Sequence, residues 1–238
     1  MISEYGEQVN NSSVGYFGKL PSSGDFIQLN LPGGFGSAWD KWLQNSLYAS
    51  QQSLGQRWLD YYLVAPWWRF MIMPKVLDEQ AWIGLWCPSV DSVGRYFPFT
   101  VLHPLSSRIS YVDTLLSNGE WYETLETLIG RLLEQIIDFG EFRSELAAMT
   151  PPLEKTLAGG SIQSLSLEIP EEDESTFPVA IGALDVMLTK QEEPHSFWWT
   201  QGSTWVSPRF VAAERLPKFQ GFTAFLDGKW QQWGWNDR

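Results

Sequence analysis

Three runs in the middle of the chain, "WWRFMIM", "AWIGLWC" and "YFPFTVL", are apolar at nearly every position. A strand with one face in water alternates apolar and polar residues, so continuous runs imply burial on both faces, with helices above and below. The links between the runs are short and carry Pro74, Asp78, Pro88 and Gly94, all turn residues. Links this short force antiparallel pairing, because a parallel crossover needs about a dozen residues or more. The pattern therefore predicts an antiparallel meander of strands near 68–73, 81–87 and 96–102 inside one central sheet.

Elsewhere the period is helical. Trp39, Trp42, Leu43, Leu47 and Leu54 share a face, with Ser37 and Asp40 spaced as a capping box, which predicts a helix over 37–52. Tyr122, Leu125, Ile129, Leu132 and Ile136 line a second helix over 118–138, with Ser117 and Glu120 as its capping box. "EFRSELAAM" extends or follows that helix until Pro151-Pro152 stops it. "VGYFG", "SFWWT", "TWVSPRF" and the terminal "KWQQWGW" read as short strands, and "PKFQGFTAFLD" as a helix. "SIQSLSLEI" is an edge strand or a loop over the sheet, "EIPEEDESTFP" a solvated acidic loop, and "VAIGALDVMLTK" a helix weakened by Gly182. Residues 1–13 are polar and patternless, a loose arm before a single domain over 14–238.

Composition narrows the function classes. The chain has 238 residues, 44% hydrophobic, with a net charge of −12 and no lysine- or arginine-rich run. That balance disfavours nucleic acid and anionic membrane surfaces. No stretch approaches the roughly 20 apolar residues of a membrane span, and the start "MISEYGEQVN" is no signal peptide. These features point to a cytoplasmic protein without membrane insertion. Cys87 is the single cysteine and sits in an apolar run, so it reads as a buried thiol. The 14 tryptophans read mainly as core.

Two stretches hold the candidate chemistry. "VGYFGKLPSSGDF" contains Gly18, Lys19, Pro21, Gly24, Asp25 and Phe26; "CPSVDSVGRYFPF" contains Ser89, Asp91, Gly94 and Arg95. The first is no phosphate-binding loop: its glycines are too close, and Leu20 stands where a Ser or Thr must meet magnesium. His103, His195 and Cys87 lack metal-ligand spacing, and no Gly-x-Ser-x-Gly elbow occurs. No metal or cofactor is expected. Two readings stay open for the charged residues. Either Lys19, Asp25, Asp91 and Arg95 gather at one end of the sheet as a recognition site, or the aspartates cap turn amides while Arg95 pairs with a carboxylate to hold two loops.

"GYFGKLPSSGDF" and "PSVDSVGRYFPFT", followed by "SFWWTQGS" with Trp198 and Trp199, resemble the TagF (ImpM-like) accessory proteins of bacterial type VI secretion systems. The resemblance runs from about Val14 to Asp227. Arg215-Leu216-Pro217 departs from it where Gly-Leu-Pro is expected, and Arg takes a positive φ less cheaply than Gly. The resemblance implies a non-enzymatic cytoplasmic regulator that restrains secretion after translation. It also implies a partner, the forkhead-associated-domain scaffold of the system. Together with the doubly buried strand runs, it implies an α/β fold, a three-layer α/β/α sandwich with a mixed, largely antiparallel central sheet. The alternative is a hydrolase or a phosphorylated-ligand-binding protein using Asp25 and Asp91 with Lys19 and Arg95. Because neighbouring residues of a strand face opposite ways, some of Trp67, Trp68, Trp198, Trp199 and the terminal tryptophans are expected at an exposed docking patch.

Overall fold

The computed structural model describes residues 14–106, 109–155 and 193–236. Its frame is a seven-stranded sheet in the order β2-β1-β5-β4-β3-β6-β7. The strands are β1 (Gly15–Gly18), β2 (Ile27–Leu29), β3 (Trp68–Ile72), β4 (Ala81–Cys87), β5 (Phe99–Leu105), β6 (His195–Thr200) and β7 (Arg209–Glu214). The helices are α1 (Gly33–Leu54), α2 (Trp58–Tyr62), α3 (Tyr111–Ser117), α4 (Gly119–Leu133), α5 (Phe139–Ala148) and α6 (Ala224–Asp227). This is an α/β fold. Every pairing among the described strands is antiparallel, which corrects the expectation of a mixed sheet.

The predicted meander, β3–β4–β5, forms in the middle of the sheet, with its third strand at Phe99–Leu105 rather than 96–102 because Tyr96 is held in the loop opposite Val90, and every residue of these three strands is buried. Alternation along the strands feeds two separate clusters. Trp68, Phe70, Ile72, Trp82, Trp86 and Leu102 pack with Trp39, Trp42 and Leu43 of α1. Met71, Ile83, Leu85, Cys87, Phe99 and Val101 pack with Leu125, Ile129 and Leu132 of α4 and Phe142 of α5. That is why the strands are apolar throughout. Gly84 of β4 is required by the same packing: a Cβ there would meet the Val101 carbonyl oxygen at 2.4 Å and the Phe70 ring at 2.6 Å.

One strand of the meander carries a charge. Arg69 of β3 is 6% exposed and grips Glu126 of α4 through two bonds, Nε to Oε1 at 2.7 Å and a terminal nitrogen to Oε2 at 2.8 Å. Its guanidinium also lies 5.2 Å from the centre of the Tyr122 ring. The bond to Glu126 outweighs burial and raises the Arg69 pKa. A bidentate pair is the arrangement in which a guanidinium tolerates an interior site.

Several local readings are corrected. Helix α1 begins at Gly33, so Ser37 lies inside it and its Oγ donates back to the Gly33 carbonyl at 2.9 Å. Ser117 and Glu120 do not form a box either. The residue between α3 and α4 is the buried Asn118, whose side chain bonds Thr114 and both polar groups of the Leu153 backbone. The capping box occurs instead at Asp138 and Glu141, which open α5. Helix α4 ends at Leu133 and Gln135 takes φ 58°, leaving Ile136 exposed rather than on the buried face.

"KWQQWGW" is a 3-10 turn at Gln231–Trp233 closed by Gly234 at φ 82°, not a strand. Two of its three indoles are spoken for: Trp233 Nε1 donates to Asp227 and Trp235 Nε1 to the Gly221 carbonyl. The strand placed at "TWVSPRF" begins only at Arg209. The segment "PKFQGFTAFLD" becomes a turn, a 3-10 turn and the short α6. The readings of 1–13, "SIQSLSLEI", "EIPEEDESTFP" and "VAIGALDVMLTK" lie outside the described residues.

Candidate functional site: two signature loops joined by a buried aspartate

The loop after β1 and the loop between β4 and β5 lie side by side. Four links join them. Lys19 Nζ meets Asp91 Oδ2 at 2.5 Å, Ser89 Oγ donates to the Lys19 carbonyl at 2.7 Å, Ser92 N–H donates to the Ser23 carbonyl at 3.1 Å, and the Arg95 guanidinium donates to the Gly24 carbonyl. Each loop is also shaped from within. Pro21 follows Leu20 in a turn closed by Ser23 N–H to the Leu20 carbonyl at 3.0 Å. Asp91 heads a turn that Gly94 completes at φ 85°.

Gly18 is required where the loop leaves β1. Its φ is 137°, and a Cβ would sit 2.1 Å from the Pro98 carbonyl oxygen. No L-residue fits both constraints.

Asp91 is the centre of the assembly, its side chain fully buried. Its Oδ1 accepts the Val93 and Arg95 amides at 3.0 and 2.8 Å, and its Oδ2 accepts Lys19 and Arg95 Nε, the latter at 2.7 Å. Burial alone would raise its pKa. The Lys19 ammonium, the Arg95 amide and guanidinium, and the Val93 amide outweigh it and hold the carboxyl well below the usual carboxylate range. Both oxygens are occupied, so Asp91 is an anion that ties loops together, with no lone pair directed at a substrate. The turn-capping reading of Asp91 and the gathering of Lys19, Asp91 and Arg95 are one and the same arrangement.

Asp25 stands apart. It is exposed, and the contact its turn makes runs through its backbone, whose N–H donates to Ser23 Oγ at 3.2 Å. It joins neither Lys19 nor Arg95 among the described contacts. A paired-carboxylate site of Asp25 and Asp91 is therefore not assembled here.

Ser89 ties in a residue that no sequence motif marks. Tyr62, at the end of α2, donates to the Ser89 carbonyl at 3.0 Å and accepts the Ser89 amide at 3.1 Å. Burial pushes the Tyr62 hydroxyl pKa far up, so it stays protonated as a donor. No local pattern marks a tyrosine for this role, because its partner is fixed only by tertiary packing.

The outer surface of the loops presents two apolar side chains and an arginine beside the exposed Asp25. Phe26 is 47% exposed, stacks on Phe17 at 5.7 Å, meets Phe97 edge-on at 4.8 Å, and has Lys19 Nζ 4.9 Å above its ring. Val93 projects at the tip with 67% exposure, and the Arg95 side chain is 60% exposed. The tryptophan expectation needs correction. Trp198 is fully buried, stacked with Trp39 and bonded through Nε1 to Ser196 Oγ at 2.9 Å, so it presents no ring to a partner. Trp199 is half-buried against Tyr122, and Trp67 is half-buried too; only Trp205 among the tryptophans is exposed.

Among the described residues no three His, Cys, Asp or Glu side chains gather where they could hold a metal ion. No helix among them is long and apolar enough to cross a membrane. His103 is buried with Nδ1 2.6 Å from the Pro104 carbonyl, and burial lowers its pKa. Burial pushes the Cys87 thiol pKa far up, which removes it as a nucleophile.

Comparison with known proteins adds two findings. The model of the TagF N-terminal domain, described as type VI secretion system-associated, matches residues 15–149. The crystal structure of PA0076 from Pseudomonas aeruginosa PAO1 is similar over 91% of this chain and 95% of that one, with 34% sequence identity and a TM-score of 0.80. No curated protein sequence matches the chain. The matched region contains both loops, all of β1–β5 and the buried Asp91 that joins them, and the chain belongs to the TagF family of type VI secretion system-associated proteins.

Proposed function

We propose that this protein is a cytoplasmic repressor of type VI secretion that acts by stoichiometric protein binding and turns nothing over. One observation carries the reading. Lys19, Asp91 and Arg95 satisfy one another around a carboxylate beneath the surface, while Phe26, Val93 and the Arg95 side chain remain on top of it beside the exposed Asp25. A catalytic carboxylate needs a lone pair facing its substrate, and Asp91 spends both oxygens on four donors. An apolar patch with an arginine on a rigid base is instead what a docking surface requires. The hydrolase alternative finds no convergent pair of groups to support it. The two core clusters favour a three-layer α/β/α arrangement of 14–238 as one domain, which would hold this surface rigid.

The partner proposed is the forkhead-associated-domain scaffold of the secretion system, on the strength of the family alone. The test is a titration. The protein is expressed at graded levels in a secreting host that lacks its own copy, and effector release is measured against the ratio of protein to scaffold. Binding action predicts that release falls in proportion and levels off near equimolar amounts. Repression that saturates at trace amounts would speak for turnover, and no change in release at any level would overturn the repressor reading.

A further inference from the structure

A second surface, beside α1 where the turn between β3 and β4 meets the segment after β7, has a different chemistry. The loop over 215–220 lies against α1 and the turn over 76–77, and together they bound an open groove of about 460 Å³. Its floor is apolar: Trp42, Val76, Leu77 and Leu216 line it, and Phe219 stands 39% exposed on its wall. Trp42 Nε1 donates to the Pro217 carbonyl at 2.8 Å, which fixes the loop to the helix and keeps the groove in shape.

Every charged residue that lines the groove is basic: Lys41, Arg215 and Lys218. The chain has 16 basic residues against 28 acidic ones, so three cations around one apolar slot run against its overall charge. Lys41 and Lys218 are exposed and make no ion pair among the described residues. Arg215 meets Glu193 at 2.9 Å, an exposed pair of small worth that a partner's carboxylate can replace. Arg215 also holds φ 55°, pinned by its N–H to the Pro194 carbonyl at 2.7 Å and by Ser196 Oγ to its own carbonyl at 2.5 Å. A non-glycine residue in that region is strained, and such strain concentrates at ligand clamps.

We infer that this groove binds an acidic protein segment, with one or two apolar side chains seated over Trp42 and Leu77 and its carboxylates on Lys41, Arg215 and Lys218. The inference rests on the reading of this protein as one that works by protein binding. Apolar contact supplies affinity, and the cations supply orientation and rate of encounter. A nucleic acid would gain the three cations but meet the repulsion of a −12 chain and leave the apolar floor unused. A folded partner must therefore offer an extended or helical acidic stretch with an apolar anchor.

The experiment uses the full chain and a fluorescein-labelled peptide in which glutamates flank a central Leu-Phe pair. Its counterpart carries lysines in place of the glutamates. Binding is read by fluorescence anisotropy, and folding by thermal unfolding. The acidic peptide should bind, weaken with added salt, and lose at least about tenfold in affinity to Lys41→Glu/Lys218→Glu, whose melting temperature stays put. The lysine peptide should ignore the unaltered protein and bind the reversed one. Phe219→Ser should weaken the acidic peptide without a change in salt dependence. Failure of the acidic peptide to bind, equal binding to the reversed variant, or preference for a single-stranded oligonucleotide or anionic vesicles would overturn the inference. So would a concentration-dependent dimer abolished by the same reversal, because a second copy would then fill the groove. Secretion separates this failure from that of the wider reading. A reversed variant that fails on the peptide yet represses fully leaves regulation standing without this groove, and an unaltered protein that never represses removes regulation itself.

Discussion

Lys19 Nζ lies 2.5 Å from the buried Oδ2 of Asp91, a contact that spans 72 residues of sequence and joins the two signature loops. Lys19 is itself only 5% exposed. Neither charge belongs in the interior without the other. The same carboxylate takes a second cation, Arg95, from the solvent side, and the two cations differ in burial.

That difference is measurable. Lys19→Met should cost about 2–3 kcal/mol, the worth of a hydrogen bond to a buried charge. Arg95→Ala should cost no more than about 1 kcal/mol, because its side chain is mostly in water. Asp91→Ala should exceed both, since it orphans Lys19 and two amides together. Urea unfolding of the three variants gives the order, and an Arg95 variant less stable than the Lys19 one would contradict the geometry.

Acid should act in two windows. Burial depresses the His103 pKa, so the unfolded chain takes up a proton there first, and stability falls as pH drops below about 6.5. Asp91 is depressed as well. Its contribution is fully present above about pH 4 and is lost as pH falls through the folded-state value. Melting temperature against pH should therefore lose its upper slope in His103→Gln and its lower slope in Asp91→Asn. An unchanged profile in either variant would refute the corresponding assignment.

Gly18→Ala should be among the most damaging single changes, costing about 2–4 kcal/mol. The new Cβ adds a clash with the Pro98 carbonyl oxygen to an unfavourable φ. Gly24, whose Cβ would find only Ser92 Oγ at 3.5 Å, should accept alanine at a cost of about 1 kcal/mol or less. Thermal melts of the two variants make the comparison, and similar losses would show that the close approach at Gly18 is not what the site requires.

Arg215→Gly tests the strained corner. Relief of the left-handed φ is worth about 1–2 kcal/mol. Against it stand the exposed pair with Glu193, worth about 0–1 kcal/mol, and the greater freedom of glycine in the unfolded chain, about 0.4–1 kcal/mol. These terms place the variant between about 1 kcal/mol less stable and about 1.6 kcal/mol more stable by urea unfolding, with a small gain at the centre of the range. A larger loss of stability would mean that the arginine side chain holds the corner.

The sequence by itself determined the centre of the sheet. Continuous apolar runs require cover on both faces, and links as short as those around Pro74 and Pro88 leave antiparallel neighbours as the only option. It also marked the two loops, because Gly18, Pro21, Asp91 and Gly94 are residues whose local backbone demands are readable one turn at a time. Tertiary structure decided the rest. That Lys19 and not Asp25 reaches Asp91 depends on how β1 lies beside β5, and no pattern within either loop encodes it. The same holds for Ser37, which has the right neighbours for a cap but is drawn into α1 once Phe35 and Trp39 bury together. Asn118 is taken from its helix end by the backbone of Leu153, and the terminal tryptophans curl into a turn because Asp227 and the Gly221 carbonyl accept their indoles. Ser37 turns back onto Gly33 within its own helix, whereas Lys19, Asn118 and the terminal indoles found partners outside the spacing that local pattern assigns them. A buried donor or acceptor must be satisfied, and the compact chain, not the adjacent sequence, decides by whom.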